Sequence, residues 1–266
     1  MKQISDPPPS QYVLITGASS GIGYELTLLF AKDRNNLILV ARSEAKLRQI
    51  AKKLASEYAI DVRVVAADLA EPRAADHVFD DVQGAGLTVD VLVNNAGFGD
   101  YGSFRRAKLQ KQLDMIQVNV TALTHLSKLF LDQLPPERQG RILNVASVAG
   151  FQPGPLMAVY YASKAYVLSF SEALANELKN TNVTVTVLCP GQTETDFERR
   201  ANLHESKLFK GKISSAKIVA AKGYDALMAG KVIEIPGVKN KLSTFAVRLF
   251  PRKIVRSLVR LIQEKR

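Results

Sequence analysis

The chain has few of the residues from which metal sites and disulfide frameworks are built. Its 266 residues contain one cysteine, Cys189, and three histidines that stand far apart. A single thiol cannot form an internal disulfide and suits a reducing compartment, and isolated histidines lack metal-ligand spacing. We therefore expect no metal site and no metal-dependent chemistry.

Long apolar runs are also missing. No stretch of about 18 uninterrupted apolar residues occurs, and Pro7, Pro8 and Pro9 stand where a signal peptide would have its apolar core. We expect a disordered lead over residues 1–10 and a cytoplasmic protein without a spanning helix. Because 47% of the residues are hydrophobic, the remainder of the chain can bury one full core.

Positive charge is concentrated at one end of the chain. The net charge of +11 comes mostly from residues 236–266, where nine Lys or Arg face one acidic residue, Glu264. The remainder is nearly balanced, so we expect no nucleic-acid partner. We divide the chain into the lead, a domain over residues 11–236, and a basic extension of that domain over residues 237–266.

The basic extension has the pattern of an amphipathic helix after Pro251. Arg252, Arg256 and Arg260 recur at a spacing of four on one face. The apolar residues of another face are Ile254, Val255, Leu258, Val259, Leu261 and Ile262. Such a helix can pack on its own domain or on a neighbouring subunit, or it can make a peripheral contact with an anionic bilayer. The pattern leaves these alternatives open.

Apolar strands and helices alternate through most of the chain. The predicted strands are residues 12–16, 37–41, 62–66, 89–93, 141–145, 183–188 and 232–235. Helices are predicted after residue 21 and over residues 44–58, 74–82, 109–134 and 160–178. Nearly continuous apolar strands separated by helices indicate a parallel sheet that is covered on both faces.

The first predicted strand runs directly into a glycine-rich turn that contains Gly17, Gly21 and Gly23. An amphipathic helix follows, and its amino terminus offers free backbone N–H groups and a partial positive charge. Glycine turns also form for purely geometric reasons. The position of this turn between a strand and a helix favours a phosphate-binding cradle.

Further polar residues follow the carboxyl ends of the predicted strands. They are Thr16, Arg42, Asp68, Asn94, Asn95, Ser147, Pro190 and Gly191. Single members of this set could cap helices or form turns. In an open parallel sheet, however, ligands bind at this edge, so the set predicts a binding site.

Tyr160 and Lys164 lie four residues apart in a predicted helix and therefore on one of its faces. An ammonium group near a phenol favours the phenolate and moves the phenol pKa toward the useful range. An exposed helix face has the same spacing by chance. The coincidence with Ser147 at the end of a strand favours a catalytic pair.

Together these motifs resemble the short-chain dehydrogenase/reductase family over residues 10–235. They are Thr16-Gly17-x-x-x-Gly21-x-Gly23, Asp68, Asn94-Asn95-Ala96-Gly97, Asn119, Ser147, Tyr160-x-x-x-Lys164 and Pro190-Gly191-x-Thr193-x-Thr195. The resemblance implies an α/β fold with a single Rossmann-type, doubly wound parallel sheet of seven strands in the order 3-2-1-4-5-6-7. To this fold the chain adds its basic C-terminal helical extension.

The resemblance also implies chemistry for four residues. Tyr160 would be the general acid of carbonyl reduction, or the base of alcohol oxidation. Lys164 would lower its pKa and bind the nicotinamide ribose, Ser147 would hold the substrate oxygen, and Asn119 would anchor a water molecule that relays protons. Asn119 could instead satisfy backbone groups, and Ser147 could be a strand-end cap.

The expected cofactor is NADP(H), in preference to NAD(H). Strand two ends at Arg42 without an acidic residue before Glu44, and an arginine at that point accommodates the 2′-phosphate of NADP. Alternatively, Arg42 is a solvated loop cation and Glu44 reaches the ribose. The resemblance implies cofactor contacts from Gly17, Ser19, Ser20, Gly21, Ile22, Gly23, Arg42, Asp68, Leu69, Asn95, Ala96, Gly97, Tyr160, Lys164, Pro190, Gly191, Thr193 and Thr195.

Aromatic and apolar residues surround the expected cleft, which suggests an apolar, lipid-like carbonyl substrate. Those assigned to the substrate are Phe98, Phe151, Met157 and Phe197, with Tyr101, Phe104 and Leu156 nearby. Such residues also serve as ordinary packing. Residues 198–212 are expected to form a mobile lid.

The expected function is thus an NADPH-dependent oxidoreductase that reduces a ketone or aldehyde to an alcohol. Within enzymes, a 3-oxoacyl reductase is the alternative. Outside enzymes, the alternative is a dinucleotide-binding sensor or scaffold, because a fold does not determine function. The resemblance implies a homodimer or homotetramer that associates through the predicted helices 109–134 and 160–178.

Overall fold

The computed structural model describes residues 12–197, 201 and 213–264 of the chain. The predicted lead lies outside these residues, and so does the predicted lid apart from Ala201. Everything below concerns the described residues.

The central element is a sheet of seven parallel strands. The strands are β1 (Tyr12–Thr16), β2 (Asn36–Ala41), β3 (Val62–Ala66), β4 (Val89–Asn94), β5 (Gly140–Val145), β6 (Val183–Leu188) and β9 (Ile233–Glu234). Their order is β3-β2-β1-β4-β5-β6-β9, which confirms the predicted topology. Two short strands, β7 (Thr193–Glu194) and β8 (Ser214–Ser215), form a separate parallel pair that the sequence did not predict.

Helices cover both faces of the sheet. They are α1 (Gly21–Lys32), α2 (Glu44–Tyr58), α3 (Ala74–Gly84), α4 (Leu109–Ile116), α5 (Leu123–Gln133), α6 (Ala158–Glu177) and α7 (Ala216–Met228), followed by α8 (Val238–Ala246) and α9 (Arg252–Gln263). The prediction of one helix over residues 109–134 was wrong in one respect. A π-helical segment, Gln117–Ala122, interrupts it.

The alternation of side chains along each strand creates two cores, one on each face of the sheet. Val13 and Ile15 of β1 pack with residues of α1, α2 and α7 on one face. Leu14, between them, packs with residues of α3 and α5 on the other face. Since both faces are buried, the strands read as continuous apolar runs, and this is why the sequence located them within a residue or two.

The C-terminal extension forms two helices, α8 and α9. Val255 and Val259 of α9 are buried against the domain, in a cluster with Met157 and Tyr161. One face of α9 therefore packs on its own chain, as one of the predicted alternatives required. Among the described helices, none combines the length and the apolar character that crossing a bilayer requires.

Candidate active site

A cleft of about 620 Å³ opens at the carboxyl edge of the sheet, and most of the predicted site residues line it. The lining includes Gly17, Ser19, Ser20, Gly21, Ile22, Arg42, Asp68, Leu69, Asn95, Ala96, Gly97, Ser147, Tyr160, Lys164, Pro190, Gly191, Thr193 and Thr195. Gly23 and Asn119 are buried and do not line the cleft. Residues from separate parts of the sequence thus line one cleft, at the edge of the sheet where the strand ends predicted a binding site.

The glycine turn is held against the end of β4 by hydrogen bonds. The Thr16 hydroxyl accepts the backbone N–H groups of Asn95 and Ala96, both at 3.0 Å. The Asn95 amide in turn donates to the Thr16 carbonyl at 2.9 Å. These contacts fix the loop after β1 beside the loop after β4, so both loops line the same end of the cleft.

Two positions in this turn require glycine because of their backbone conformation. Gly17 and Gly21 have φ values of +66° and +58°, in the left-handed region that side chains disfavour. A Cβ on Gly17 would lie 2.7 Å from the Asn95 side-chain nitrogen, and one on Gly21 would lie 2.9 Å from Thr195. The turn can therefore bring its backbone N–H groups close to a ligand at the start of α1.

Arg42 and Asp68 stand opposite each other at the end of the cleft formed by β2 and β3. Arg42 is largely exposed, and its guanidinium is 3.7 Å from the Asp68 carboxylate. At this exposure and distance the ion pair contributes little to stability. The guanidinium is therefore available to an anionic group in the cleft.

Asn119 lies in the π-helical segment, and π-helical turns are frequent at functional sites. Its side chain accepts the Phe98 N–H at 3.1 Å and donates to the Phe98 carbonyl at 3.0 Å and to Ser163 at 3.0 Å. Asn119 therefore ties the loop after β4 to α6. The sequence allows two roles for Asn119, and the contacts of its side chain correspond to the second, in which it satisfies backbone groups.

Ser147, Tyr160 and Lys164 meet at the centre of the cleft. Tyr160 and Lys164 both lie in α6, as predicted, and the Lys164 ammonium is 5.9 Å from the centre of the Tyr160 ring. Lys164 donates to the Val145 carbonyl at the end of β5, at 2.8 Å. Ser147 follows the same strand, and its side chain caps the turn at Ala149 with a 3.1 Å hydrogen bond.

Burial dominates the ionisation of this group. It raises the pKa of Tyr160, and the hydrogen bond with Ser147 opposes this effect only in part. Burial also lowers the pKa of Lys164 to about 8, because the charged ammonium loses its hydration. Lys164 is not among the groups that shift the pKa of Tyr160 here, so its expected effect on this phenol stays a prediction. The sequence could not reveal how deeply both side chains are buried.

The predicted substrate residues divide into two groups. Phe98, Met157 and Phe197 line the cleft beside Tyr160, and the rings of Phe197 and Tyr160 are 5.2 Å apart. Phe151 does not line the cleft. It packs instead against a cluster with Leu123 and Val167. The assignment of Phe151 to the substrate was therefore wrong, and Phe151 lies at the end of a short helical turn, Val148–Phe151.

Sequence reasoning missed the contribution of α9 to this end of the cleft. Gln263 donates to the Tyr161 hydroxyl at 2.5 Å, and its carbonyl accepts from the Tyr101 hydroxyl at 2.5 Å. Tyr161 itself lines the cleft. No local motif indicates the contact between Gln263 and Tyr161, which are about a hundred residues apart in the sequence. The spacing of four between Val255 and Val259 does indicate that one face of α9 is packed.

The chain matches the family model described as "short chain dehydrogenase" over residues 11–206 and belongs to that family of oxidoreductases. Among curated relatives, it is 31% identical to 17-beta-hydroxysteroid dehydrogenase type 3 of Mus musculus over 72% of this chain and 63% of that protein. It is 36% identical to the very-long-chain 3-oxoacyl-CoA reductase of Phaeosphaeria nodorum, over 67% of this chain and 53% of that protein. The chain thus spans about half to two thirds of the length of these relatives.

Solved structures match nearly the whole chain. A short-chain dehydrogenase from Sphingobium yanoikuyae in complex with NADPH is 29% identical, with a TM-score of 0.80, over 90% of this chain and 94% of that one. Another, from Burkholderia phymatum in complex with NAD, is 25% identical, with a TM-score of 0.78, over 91% and 92%. The predicted family is therefore confirmed.

Proposed function

We propose that the protein reduces an apolar ketone or aldehyde to an alcohol with NADPH. The observation that carries this proposal is the convergence of Ser147, Tyr160 and Lys164 on a cleft that also contains the glycine turn. A phenol, an ammonium and a hydroxyl in one place supply the groups that carbonyl reduction requires.

The residues present fit a nicotinamide dinucleotide. Side chains at Gly17 and Gly21 would collide with Asn95 and Thr195, so only glycine allows this tight turn, whose backbone N–H groups at the start of α1 suit a pyrophosphate. Asp68, Leu69, Thr193 and Thr195 also line the cleft and would contact the bound dinucleotide. When bound, the cofactor would supply the hydride. Family members of known structure bind NADPH or NAD, which supports this class of cofactor.

Tyr160 holds the proton that the product alcohol needs. Because burial raises its pKa, the side chain is a neutral phenol at neutral pH, and a neutral phenol can donate to an oxygen that gains negative charge. Ser147 lies against it and can hold the same oxygen.

Arg42 supports the preference for NADPH over NADH. Its guanidinium is largely exposed and lines the cleft, with the Asp68 carboxylate 3.7 Å away. A guanidinium binds a phosphate monoester through paired charge-assisted hydrogen bonds. NADH lacks that phosphate and would leave Arg42 without this partner.

The substrate would be apolar because the lining beside Tyr160 is apolar. Phe98, Met157 and Phe197 face this end of the cleft. The names of the two curated relatives, a hydroxysteroid dehydrogenase and a very-long-chain 3-oxoacyl-CoA reductase, are consistent with this class. A 3-oxoacyl reductase remains the alternative within enzymes.

A Tyr160→Phe variant tests the proposed reaction. It keeps the ring packing and removes the proton, so we expect a loss of roughly 100- to 10,000-fold in kcat with steroidal and aliphatic ketones. NADPH binding, measured by titration of its fluorescence, should be nearly unchanged. Tyr166→Phe is the matched control because Tyr166 lies in the same helix and is exposed. Near-wild-type turnover in Tyr160→Phe would contradict the role of Tyr160.

The rival function is that of a dinucleotide-binding sensor or scaffold. It predicts that the wild-type chain binds NADPH tightly and consumes none of it with any carbonyl compound in a broad panel. Consumption of NADPH with one class of ketone, lost in Tyr160→Phe, would exclude this rival. Activity confined to polar sugars would leave the reaction in place and overturn the apolar substrate.

A further inference from the structure

The C-terminal helices expose a group of large apolar side chains that we call the C-terminal apolar face. It consists of Val238, Leu242, Phe245, Leu249, Phe250, Ile254, Leu258, Leu261 and Ile262. Single exposed apolar residues are normal on protein surfaces, but a concentration in one short segment marks an interaction site. Nothing in the described chain covers these side chains.

The spacing of these residues gives each helix a defined apolar side. Val238, Leu242 and Phe245 recur at intervals of four and three along α8, with the exposed Lys239 and Lys241 on either flank. In α9, the exposed Ile254 and Leu258 neighbour the buried Val255 and Val259 in sequence. The turn between the helices adds Leu249 and Phe250, 68% and 56% exposed.

The same segment is strongly basic and contains almost no acidic residues. Its described basic residues, all exposed, are Lys239, Lys241, Arg248, Arg252, Lys253, Arg256 and Arg260. The one acidic residue is Glu264, which accepts from Arg260 at 2.6 Å. An apolar face with this surplus of cations is complementary to an apolar layer that has an anionic surface.

A second copy of the chain fits this face poorly. In a two-fold symmetric interface the same patch occurs on both subunits, so two strongly basic segments would lie against each other. Such like-charge contact is unfavourable. An anionic bilayer has the opposite charge at its surface and an apolar interior that can accept leucine and phenylalanine side chains.

We propose that the C-terminal apolar face binds the surface of an anionic lipid bilayer. The side chains of α8, the turn at Leu249 and Phe250, and the exposed side of α9 would enter the headgroup region. Their lysines and arginines would remain at the level of the lipid phosphates, because long basic side chains can extend to the interface.

The position of α9 couples this surface to the cleft. Its adjacent side packs Val255 and Val259 against Met157 and Tyr161, which line the cleft, and Gln263 bonds to Tyr161. The helix would thus contact the bilayer with one side and the substrate end of the cleft with the side next to it. An apolar carbonyl compound dissolved in the bilayer would be concentrated at the entrance. This second step rests on the proposed function, whereas membrane binding does not.

Co-sedimentation of the full-length chain with vesicles tests the binding. We expect association with vesicles of phosphatidylcholine and phosphatidylglycerol and much weaker association with pure phosphatidylcholine. The triple variant Leu242→Glu/Phe245→Glu/Leu258→Glu should not sediment. The matched control, Ala45→Glu/Gln49→Glu/Ser56→Glu, adds the same charge to exposed positions of α2, near the opposite edge of the sheet. Equal binding by both variants would overturn the proposal.

The cationic part is tested separately. Lys239→Gln/Lys241→Gln/Lys253→Gln should weaken binding to anionic vesicles by roughly 100-fold, since each basic residue near the surface contributes about a factor of five. Lys52→Gln/Lys53→Gln, on exposed positions of α2, should have little effect. A loss of similar size in both variants would indicate a response to net charge and would contradict a specific face.

An introduced fluorophore avoids any reliance on disruptive variants. The chain has no tryptophan, so Phe250→Trp gives one indole in the turn between α8 and α9, and Tyr58→Trp gives one at the end of α2. Anionic vesicles should shift the emission of the first to shorter wavelength, and brominated lipids should quench it. The emission of Tyr58→Trp should not change. No shift in Phe250→Trp would overturn membrane binding even if other variants failed to fold.

Activity separates the two parts of the inference. If the face delivers substrate, anionic vesicles should lower the apparent KM for a membrane-dissolved ketone in the wild type but not in the triple glutamate variant. The wild type and the triple glutamate variant should have the same KM for a short water-soluble ketone. Vesicle binding without this difference in KM would overturn substrate delivery alone. Near-wild-type turnover in Tyr160→Phe would overturn the proposed function and leave membrane binding in place.

Discussion

Lys164 is buried, and its surroundings shift its own pKa in a way that the sequence motif alone does not predict. Its ammonium donates to the Val145 carbonyl, but the loss of hydration lowers its pKa to about 8. The spacing of Tyr160 and Lys164 revealed that the two side chains share a face. The balance between desolvation and charge attraction depends on the whole surrounding fold, which the motif does not encode.

This burial makes stability depend on pH. Below about pH 8 Lys164 is charged in both the native and the unfolded state. Between about pH 8 and pH 10.5 the native state loses the proton while the unfolded state keeps it. The free energy of unfolding should therefore rise with pH in this window, by up to about 3 kcal/mol. Urea denaturation of wild type and Lys164→Met at several pH values would measure the rise as a difference.

Lys164→Met has no proton to exchange at this site, so its own stability should lack that rise. Other groups that titrate in the same window contribute to both proteins and cancel in the difference. A difference that stays constant from pH 7 to pH 10 would contradict the lowered pKa of Lys164.

Arg42 should determine the choice between cofactors. We expect Arg42→Asp to reverse a wild-type preference for NADPH, with a change of about 10- to 100-fold in the ratio of kcat/KM values, because a charged hydrogen bond contributes about 1.5–3 kcal/mol. Steady-state kinetics with NADPH and NADH measure this ratio. A wild-type preference for NADH would contradict the assignment, and Arg48→Asp, on the exposed surface of α2, is the control.

At the scale of elements, the sequence predicted the sheet well and the helix that carries Asn119 less well. Strands buried on both faces are unbroken apolar runs with distinct ends, so their positions could be read directly. The periodicity of residues 109–134 continues through the π-helical segment, so nothing in the pattern reveals the change at Gln117–Ala122. Asn119 was nevertheless selected, through its place in the family motif.

The contacts of Asn119 predict the effect of its removal. Asn119→Ala deletes three hydrogen bonds and leaves the Phe98 N–H and carbonyl without these partners. We expect a loss of about 2–3 kcal/mol in the free energy of unfolding. Thr121→Ala changes an exposed side chain of the same segment and should cost less than about 0.5 kcal/mol. Chemical denaturation measures both, and equal effects would contradict the linking role of Asn119.

At the scale of the whole molecule, the chain has two exposed apolar surfaces, one on α4 and α6 and the other the C-terminal apolar face, and we expect each to bind a different partner. Leu109, Leu113 and Ile116 form a stripe along α4 at intervals of four and three, and Tyr166 of the neighbouring α6 is also exposed. We propose that this surface joins two copies of the chain. The C-terminal apolar face, with its surplus of arginine and lysine, is the one that suits a bilayer.

A crossed experiment separates the two surfaces. Leu113→Glu should convert a dimer to a monomer in sedimentation velocity, because a buried unpaired charge at a subunit contact is strongly unfavourable. The same variant should still bind anionic vesicles. Leu258→Glu should have the opposite pattern, with an unchanged sedimentation coefficient and weaker vesicle binding. If Leu258→Glu instead dissociates the dimer, the C-terminal apolar face joins subunits and the bilayer assignment is wrong. If Leu113→Glu leaves the sedimentation coefficient unchanged, the surface of α4 and α6 is not the subunit contact.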